Sequence, residues 1–432
     1  MKRISILMIA AGLLAFASCN KADSVKDPIT VSSPTPKTQI TKVTLTETQK
    51  GYAQAGNAMS FRLLRQLYDG SNLICSPLSL QYALAMTANG ASGETLQEII
   101  DFLGYGADGI DALNAYCKTL LEQLPAVDLK VDLKVTDALL VNDKFPLLPS
   151  FQETVQSNYY AAVENMDFTN PSLIAARIND WAKRNTNGFI DKVMDPSEIS
   201  DLTVAFLMNA LYFKGKWSGT EEYPMFDEKK SIDADFTKSD GSVRKVKMMR
   251  STRYHRYSEM DGFRVLALPY AGEKFYMYIL LPDENNLGGL LDKLQTISWA
   301  DIENGLTTDA KVNVRLPKFD IENKFNLIEP LKELGIKRAF NRGSAELDCM
   351  FEPKEVAYQY WIGKVIQKAR VTVAEWGVKA AAVTVVGVYG DTAAPPEPII
   401  KEVNFYADHP FAYFIAESTS GTILFEGVYT GR

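Results

Sequence analysis

Histidine is almost missing from this chain. His255 and His409 are the only two in 432 residues, too few to build a histidine-based metal centre or the usual base of a hydrolytic triad with any redundancy. Cysteine is also scarce. Cys19, Cys75, Cys117 and Cys349 are the four, no two stand in a C-x-x-C pair, and a disulfide scaffold or thiolate zinc site is excluded. No basic stripe interrupts an acidic composition of net charge −7, so nucleic acid is not an expected partner. G-x-S-x-G, H-E-x-x-H and Walker patterns are absent, and with them the serine-hydrolase, zincin and P-loop classes. No internal repeat is apparent. What remains is 46% hydrophobic and 23% charged, a globular composition long enough for one large domain or about three ordinary ones.

Three further signals carry no chemistry. Gly104-Tyr105-Gly106-Ala107-Asp108-Gly109 has dinucleotide-loop spacing. It follows Thr95 to Leu103, which reads as a helix, whereas such a site needs a preceding strand, so a turn is the better reading. His255 lies in the charged string Arg253-Tyr254-His255-Arg256 and is expected to be solvated. His409, in Asp408-His409-Pro410-Phe411, reads as a polar residue near a strand start. Asp and Glu number 53, and no pair is marked out for glycoside hydrolysis. No metal ligand set and no cofactor is expected.

The N-terminus reads as an address. Met1-Lys2-Arg3 precedes an apolar run from Ile4 to Ala17, too short for a relaxed membrane span and suited to an export signal. It ends in Phe16-Ala17-Ser18-Cys19, which resembles the lipobox of bacterial lipoproteins, with Cys19 as the lipidated mature N-terminus. Loss of residues 1–18 removes Lys2 and Arg3 and shifts the formal charge from −7 to −9. From Ser24 to Glu47 half the residues, twelve of 24, are Ser, Thr or Pro, so residues 19–47 read as a flexible stalk and the folded part as 48–432. Three cysteines then remain. Cys75, in Leu73-Ile74-Cys75, reads as a small buried hydrophobe, and no structural disulfide is expected.

Within 48–432, Phe61, Leu64, Leu67 and Tyr68 recur at helical spacing. Ser76-Pro77-Leu78-Ser79 has the form of a helix start, and Ala175 to Arg184 repeats the helical pattern. From Val204 onward the chain turns to short β-type runs: Phe206 to Met208, Phe263 to Leu268, Phe275 to Leu281 and Lys311 to Leu316. Helices mostly first and strands later, without βαβ alternation, predict an α+β fold.

Several stretches together resemble one family, the serpins. Asn72 to Gly104, containing Ser76-Pro77-Leu78-Ser79 and Gly90-Ala91-Ser92-Gly93-Glu94-Thr95, is similar to the family's early helices. Asn209-Ala210-Leu211-Tyr212-Phe213-Lys214-Gly215-Lys216-Trp217 is similar to its central motif. Leu316-Pro317-Lys318-Phe319, Leu331 to Phe340, Asp408-His409-Pro410-Phe411 and Gly421 to Gly427 extend the match. Glu375-Trp376-Gly377-Val378-Lys379-Ala380-Ala381-Ala382-Val383-Thr384 resembles the hinge of an inhibitory member. The resemblance implies helices around three β-sheets, with an exposed reactive loop at about 375–403. It also implies a suicide substrate: a serine or cysteine protease cleaves the loop, forms an acyl-enzyme, and is trapped when the freed strand enters the main sheet. Such a protein is not itself an enzyme.

By the same resemblance the hinge comprises Glu375, Gly377, Val378, Ala380, Ala381, Ala382 and Thr384. The sheet-opening region comprises Ser76, Ser79, Asn209 and Gln367, and the reactive bond is Asp391–Thr392, fourteen positions after Gly377. Cleavage after Tyr389, Ala393 or Ala394 stays open, because the segment with Pro395, Pro396 and Pro398 can differ in length from that of relatives. Two residues depart from the pattern: Val378 stands where threonine or serine is usual, and Gln367 where many relatives have histidine. Gln367 is expected to donate a hydrogen bond toward Asn209, without histidine's response to pH.

The hinge also makes physical sense alone. Alternate positions Val378, Ala380, Ala382, Thr384, Val386 and Val388 form a small or β-branched face, and the charge of Lys379 falls on the other. The resulting expectation is a monomeric, lipid-anchored protease inhibitor facing the periplasm or cell surface of a bacterium. A non-inhibitory serpin acting as a binding or structural protein is the alternative; a surface hydrolase or glycan binder suits the address and not the hinge. Cys19→Ala is expected to move the protein from the membrane fraction to the soluble one, read by fractionation and immunoblotting; unchanged partition would remove the lipoprotein assignment.

Overall fold

The computed structural model describes residues 38–105, 109–200, 202–308, 310–353, 358–377 and 401–432. Cys19, the signal segment, and the hinge and reactive-bond residues Val378, Ala380, Ala381, Ala382, Thr384, Asp391 and Thr392 lie outside them.

Helices begin where the caps say they should. Helix α1 (Glu47–Leu67) opens on a capping box: the Thr46 hydroxyl accepts from Gln49 N and the Gln49 side chain accepts from Thr46 N. In α2 (Pro77–Ala88) the Ser76 hydroxyl caps Ser79 N at 3.2 Å and Pro77 occupies the first turn. Helix α3 (Gly93–Leu103) ends at Gly104, left-handed at φ 77°, the conformation a helix C-terminus reserves for glycine. A helix therefore does precede the G-x-G-x-x-G string. Helices α4 (Gly109–Val127), α5 (Pro149–Tyr159) and α6 (Pro171–Asn185) complete the first half; α7 (Leu287–Lys293), α8 (Trp299–Gly305) and α9 (Ile328–Glu333) are short.

Among the described residues the strands form four hydrogen-bonded blocks. Six strands run in the order β1 (Leu73–Cys75), β15 (Ile423–Tyr429), β14 (Phe411–Glu417), β9 (Phe275–Pro282), β8 (Phe263–Pro269) and β7 (Arg256–Met260). This sheet is the heart of the core. Every residue of β1, β14 and β15 is buried, and apart from Glu417 and Glu426 those strands are almost wholly apolar. Cys75 is buried here as expected; Cys75, Cys117 and Cys349 are all unbridged. A second sheet has the order β13 (Lys401–Tyr406), β10 (Ala310–Pro317), β6 (Val243–Tyr254) and β5 (Ile232–Thr237), with β13 parallel to β10. The third block is β3 (Ala162–Met166), β2 (Asp132–Asn142) and β4 (Ala205–Lys214), and the fourth pairs β11 (Phe319–Asn326) with β12 (Ile366–Val373).

The fold is α+β, as expected, and two other expectations need correction. The described backbone bonds group the strands in four blocks, with none joining β4 to β12. Helices come mostly first, and three strands, β1, β2 and β3, lie among them. Strand β2 is hard to read from sequence because all of it from Thr136 onward is buried on both faces, leaving no period-two signal. The packed chain also starts before residue 48. Val43 and Leu45 are buried, Val43 N donates to Thr419 Oγ1 at 2.9 Å and Ile40 N to Ala126 O at 3.0 Å. Composition counted over 24–47 hides those apolar residues among threonines.

The second correction is His255, which is buried at the join of β6 and β7. Its charged neighbours find polar partners instead: Arg253 donates to the carbonyls of Tyr223 and Pro224, and Arg256 pairs with Glu303. Burial, with the Arg253 charge adding to it, pushes the imidazole down from 6.5 to about 4. The unfolded chain takes up this proton near pH 6.5 and the folded one only near pH 4, so stability falls as pH drops through that window. Between pH 7 and pH 4.5 the wild type is expected to lose about 2–3 kcal/mol more than His255→Phe, measured by urea denaturation. Equal losses would mean that the imidazole titrates normally.

Candidate functional site: a slot between two strand edges

Strands β4 and β12 face a cavity of about 410 Å³, lined by β4 from Ala205 to Leu211 and by residues 360–369 leading into and along β12. Neither edge has a strand partner across the cavity among the described residues. Open edges of this kind are pairing sites for another strand.

The first turn of α2 ties the two banks together. On one side Gln367 of β12 grips the Ser76 backbone twice: Ser76 N donates to Oε1 at 3.0 Å, and Nε2 donates to Ser76 O at 2.8 Å. The Ser76 hydroxyl donates to Leu424 O at 2.7 Å, fixing the turn to β15. On the other side the Ser79 hydroxyl donates to Asn209 Oδ1 of β4, and Asn209 Nδ2 donates to Asp137 Oδ1 of β2 at 2.8 Å. Ser76, Ser79, Asn209 and Gln367 all line the cavity, so the four expected residues are gathered at one place. The detail differs from expectation. Gln367 bonds to Ser76, not to Asn209, because its amide matches the donor and acceptor of one backbone residue. Asp137 is not among the expected residues; its signal in the sequence is a lone acid heading the apolar run Ala138-Leu139-Leu140-Val141.

At the far end of β12 the chain turns at the other expected residues. Gly377 N donates to Ala374 O at 3.0 Å, and Gly377 has φ 71°. A side chain there would collide with the Gly215 carbonyl as well as being strained, so glycine is required. The indole of Trp217, stacked on Tyr270 with ring centroids 4.8 Å apart, donates to Ala374 O at 2.8 Å. This bond crosses from the chain just after β4 to the chain just after β12. Glu375 is only 3% exposed. Its carboxylate meets Lys318 Nζ at 2.7 Å and accepts from Ser231 Oγ at 2.6 Å. Burial pulls its pKa up, and the Lys318 ammonium and Ser231 hydroxyl outweigh that pull, holding it below the usual range.

Nothing here assembles a hydrolytic site from the two histidines. His409 lies between Asp408 Oδ1 and the Pro282 carbonyl, at 2.9 and 2.8 Å; the buried His255 has an unpartnered Nε2. Among the described residues no group of three or more His, Cys, Asp or Glu could hold a metal, and no helix is long and apolar enough to cross a membrane.

A family model described as "Serpin (serine protease inhibitor)" matches residues 54–431. Leukocyte elastase inhibitor of Equus caballus is 32% identical over 381 residues, covering 86% of this chain and 96% of that protein. Serpin-ZX of Arabidopsis thaliana is 31% identical, with coverages of 87% and 95%. An uncharacterized serpin-like protein of Methanosarcina acetivorans is 30% identical, with coverages of 87% and 85%. The native state of the thermophilic serpin tengpin superposes with TM-score 0.76 at 28% identity, covering 92% of this chain and 97% of that one. Arabidopsis AtSerpin1 in its native stressed conformation gives TM-score 0.75 at 28% identity, with coverages of 89% and 98%.

Lys318→Met is expected to lower the stability of the intact protein by about 1–3 kcal/mol, since it strands the buried Glu375 carboxylate while its own partly exposed ammonium limits the loss. Adding Glu375→Gln should restore most of it. Thermal melting of both variants decides, and an unchanged single variant would mean the pair contributes nothing.

Proposed function

The chain belongs to the serpin family, and we propose that it acts as a suicide substrate, trapping a serine or cysteine protease by insertion of its own cleaved loop. One observation carries the reading: the strand edges of β4 and β12, unpartnered among the described residues, border a cavity, and β12 leads directly into the proposed hinge. A strand entering there would gain backbone partners on both sides. From Val378 to Asp391 the loop has fourteen residues, about 46 Å when extended at ~3.3 Å per residue. At about 0.5–1.5 kcal/mol net per hydrogen bond, such a strand contributes on the order of 10 kcal/mol. That is comparable with the stability of a protease domain, about 5–15 kcal/mol, so deforming the trapped enzyme is within reach.

In this reading the protein supplies no nucleophile. The protease brings the catalysis, and the serpin supplies the bait, the hinge and the slot. The small inward residues Val378, Ala380, Ala382 and Thr384 suit burial, and Asp391–Thr392 is the proposed cleavage point. Lipidation at Cys19 would hold the inhibitor, as a monomer, on a bacterial membrane facing the periplasm or cell surface. The sequence of the leader supports that placement.

Val378→Arg and Ala380→Arg would each drive a guanidinium into the sheet, where an unpaired charge is strongly disfavoured. Insertion should slow, the acyl-enzyme should hydrolyse first, and the variants should behave as substrates. Lys379→Glu, on the outward face, should retain most inhibition. The measurement is the number of inhibitor molecules consumed per protease inactivated, against a panel of serine and cysteine proteases, with trapped complexes seen on a denaturing gel and a released fragment that begins at Thr392. Equal values for Val378→Arg, Lys379→Glu and wild type would favour a non-inhibitory serpin; a fragment starting elsewhere would move the reactive bond.

A further inference from the structure

Asp137 of β2 is fully buried. One carboxyl oxygen accepts from Asn209 Nδ2 at 2.8 Å, and the other, Oδ2, has no partner. Asn209 in turn accepts from the Ser79 hydroxyl, so a chain of hydrogen bonds runs from α2 across the edge strand β4 to β2. Asn209 lines the slot and Asp137 does not; the amide stands between the acid and the cavity. The titratable groups that face Asp137 are Tyr82 of α2, Cys117 of α4 and Tyr159 of α5. Burial pushes all three well above their ordinary values, so each is neutral between pH 6 and 8 and none offsets a negative charge. Burial likewise raises Asp137 from the ordinary carboxylate range to about 7, with the Asn209 bond pulling the other way. Gln367, on the opposite bank, exchanges no proton.

We propose that Asp137 is a positioning residue which, acting through Asn209, couples filling of the slot to uptake of a proton. The inference rests on the insertion reading above and names the control on it. A strand entering the cavity expels solvent from the side of Asn209 that faces away from Asp137, and it engages the β4 backbone beside that amide. The ionised acid loses its nearest source of solvation; the neutral acid loses little. The filled slot therefore holds the proton more tightly than the empty one, and by linkage a rise in pH opposes filling. Insertion is favoured below about pH 7 and disfavoured above it.

The test uses the full chain and an acetylated, amidated synthetic peptide of residues 378–391. The lysine and aspartate of that peptide do not titrate between pH 6 and 8. Its dissociation constant is measured at pH 6, 7 and 8 for wild type and for Asp137→Asn, which keeps an acceptor for Asn209. Wild-type affinity is expected to fall by up to about tenfold per pH unit above pH 7, while the variant stays level. If Asp137→Asn does not fold, proton uptake by wild type on peptide binding, from calorimetry in two buffers of different ionisation enthalpy, carries the same decision. Binding that is level in wild type, or equally steep in both proteins, overturns the coupling and leaves insertion standing. Absence of peptide binding at every pH removes the insertion reading, and the coupling with it.

Discussion

Two strand edges with no partner among the described residues, β4 and β12, are the constraint on which the rest of the structure depends. Exposed backbone donors and acceptors invite pairing, and three contacts hold the two edges where they are. The first turn of α2 is held to both banks, through Gln367 on one and Asn209 on the other. Trp217 spans the far end through the Ala374 carbonyl. Glu375 is pinned beneath the turn by Lys318 and Ser231. Each is a polar contact in a mostly apolar setting, where satisfied hydrogen bonds hold a specific geometry and broken ones are costly.

The six-stranded sheet does the opposite work. Its strands β14 and β15 are buried throughout, and two acids inside it are handled differently. Glu417 accepts four hydrogen bonds from Thr419 and Ser420. Glu426 meets the Ser60 hydroxyl and the Cys75 thiol, and burial raises it to about 8, so it is largely neutral at pH 7. Burial raises Asp137 as well, so both carboxyls favour the fold at lower pH, while the buried His255 favours higher pH. The acid and imidazole contributions oppose each other between about pH 4 and 6.5.

Much of the site is legible in the order of residues alone. Ser76-Pro77-Leu78-Ser79 reads as a helix start because cap chemistry is local: a hydroxyl, a fixed φ and the next turn's amide suffice. Glu375 and Gly377 are legible through the resemblance, and the geometry gives each a reason, a buried ion pair and a left-handed turn against Gly215. The exchange of partners at Gln367 is not legible, since an amide's choice between Asn209 and the Ser76 backbone depends on distances between elements separated by 291 residues. His255 misleads for a related reason: a charged string looks solvated, yet alternation along a strand end sends one residue of it inward.

The sequence by itself determined the family and the starts of the early helices. These follow from local chemistry and from motif order along the chain. Only the tertiary structure decided that β4 and β12 face a cavity with no described bond between them, that α2 ties the two banks, that the fold begins before residue 48, and that Asp137 lies buried behind Asn209. Those outcomes depend on which strand edges meet and which do not. Pairing between distant strands is fixed by the packing of all the elements at once, and no local stretch of residues encodes it.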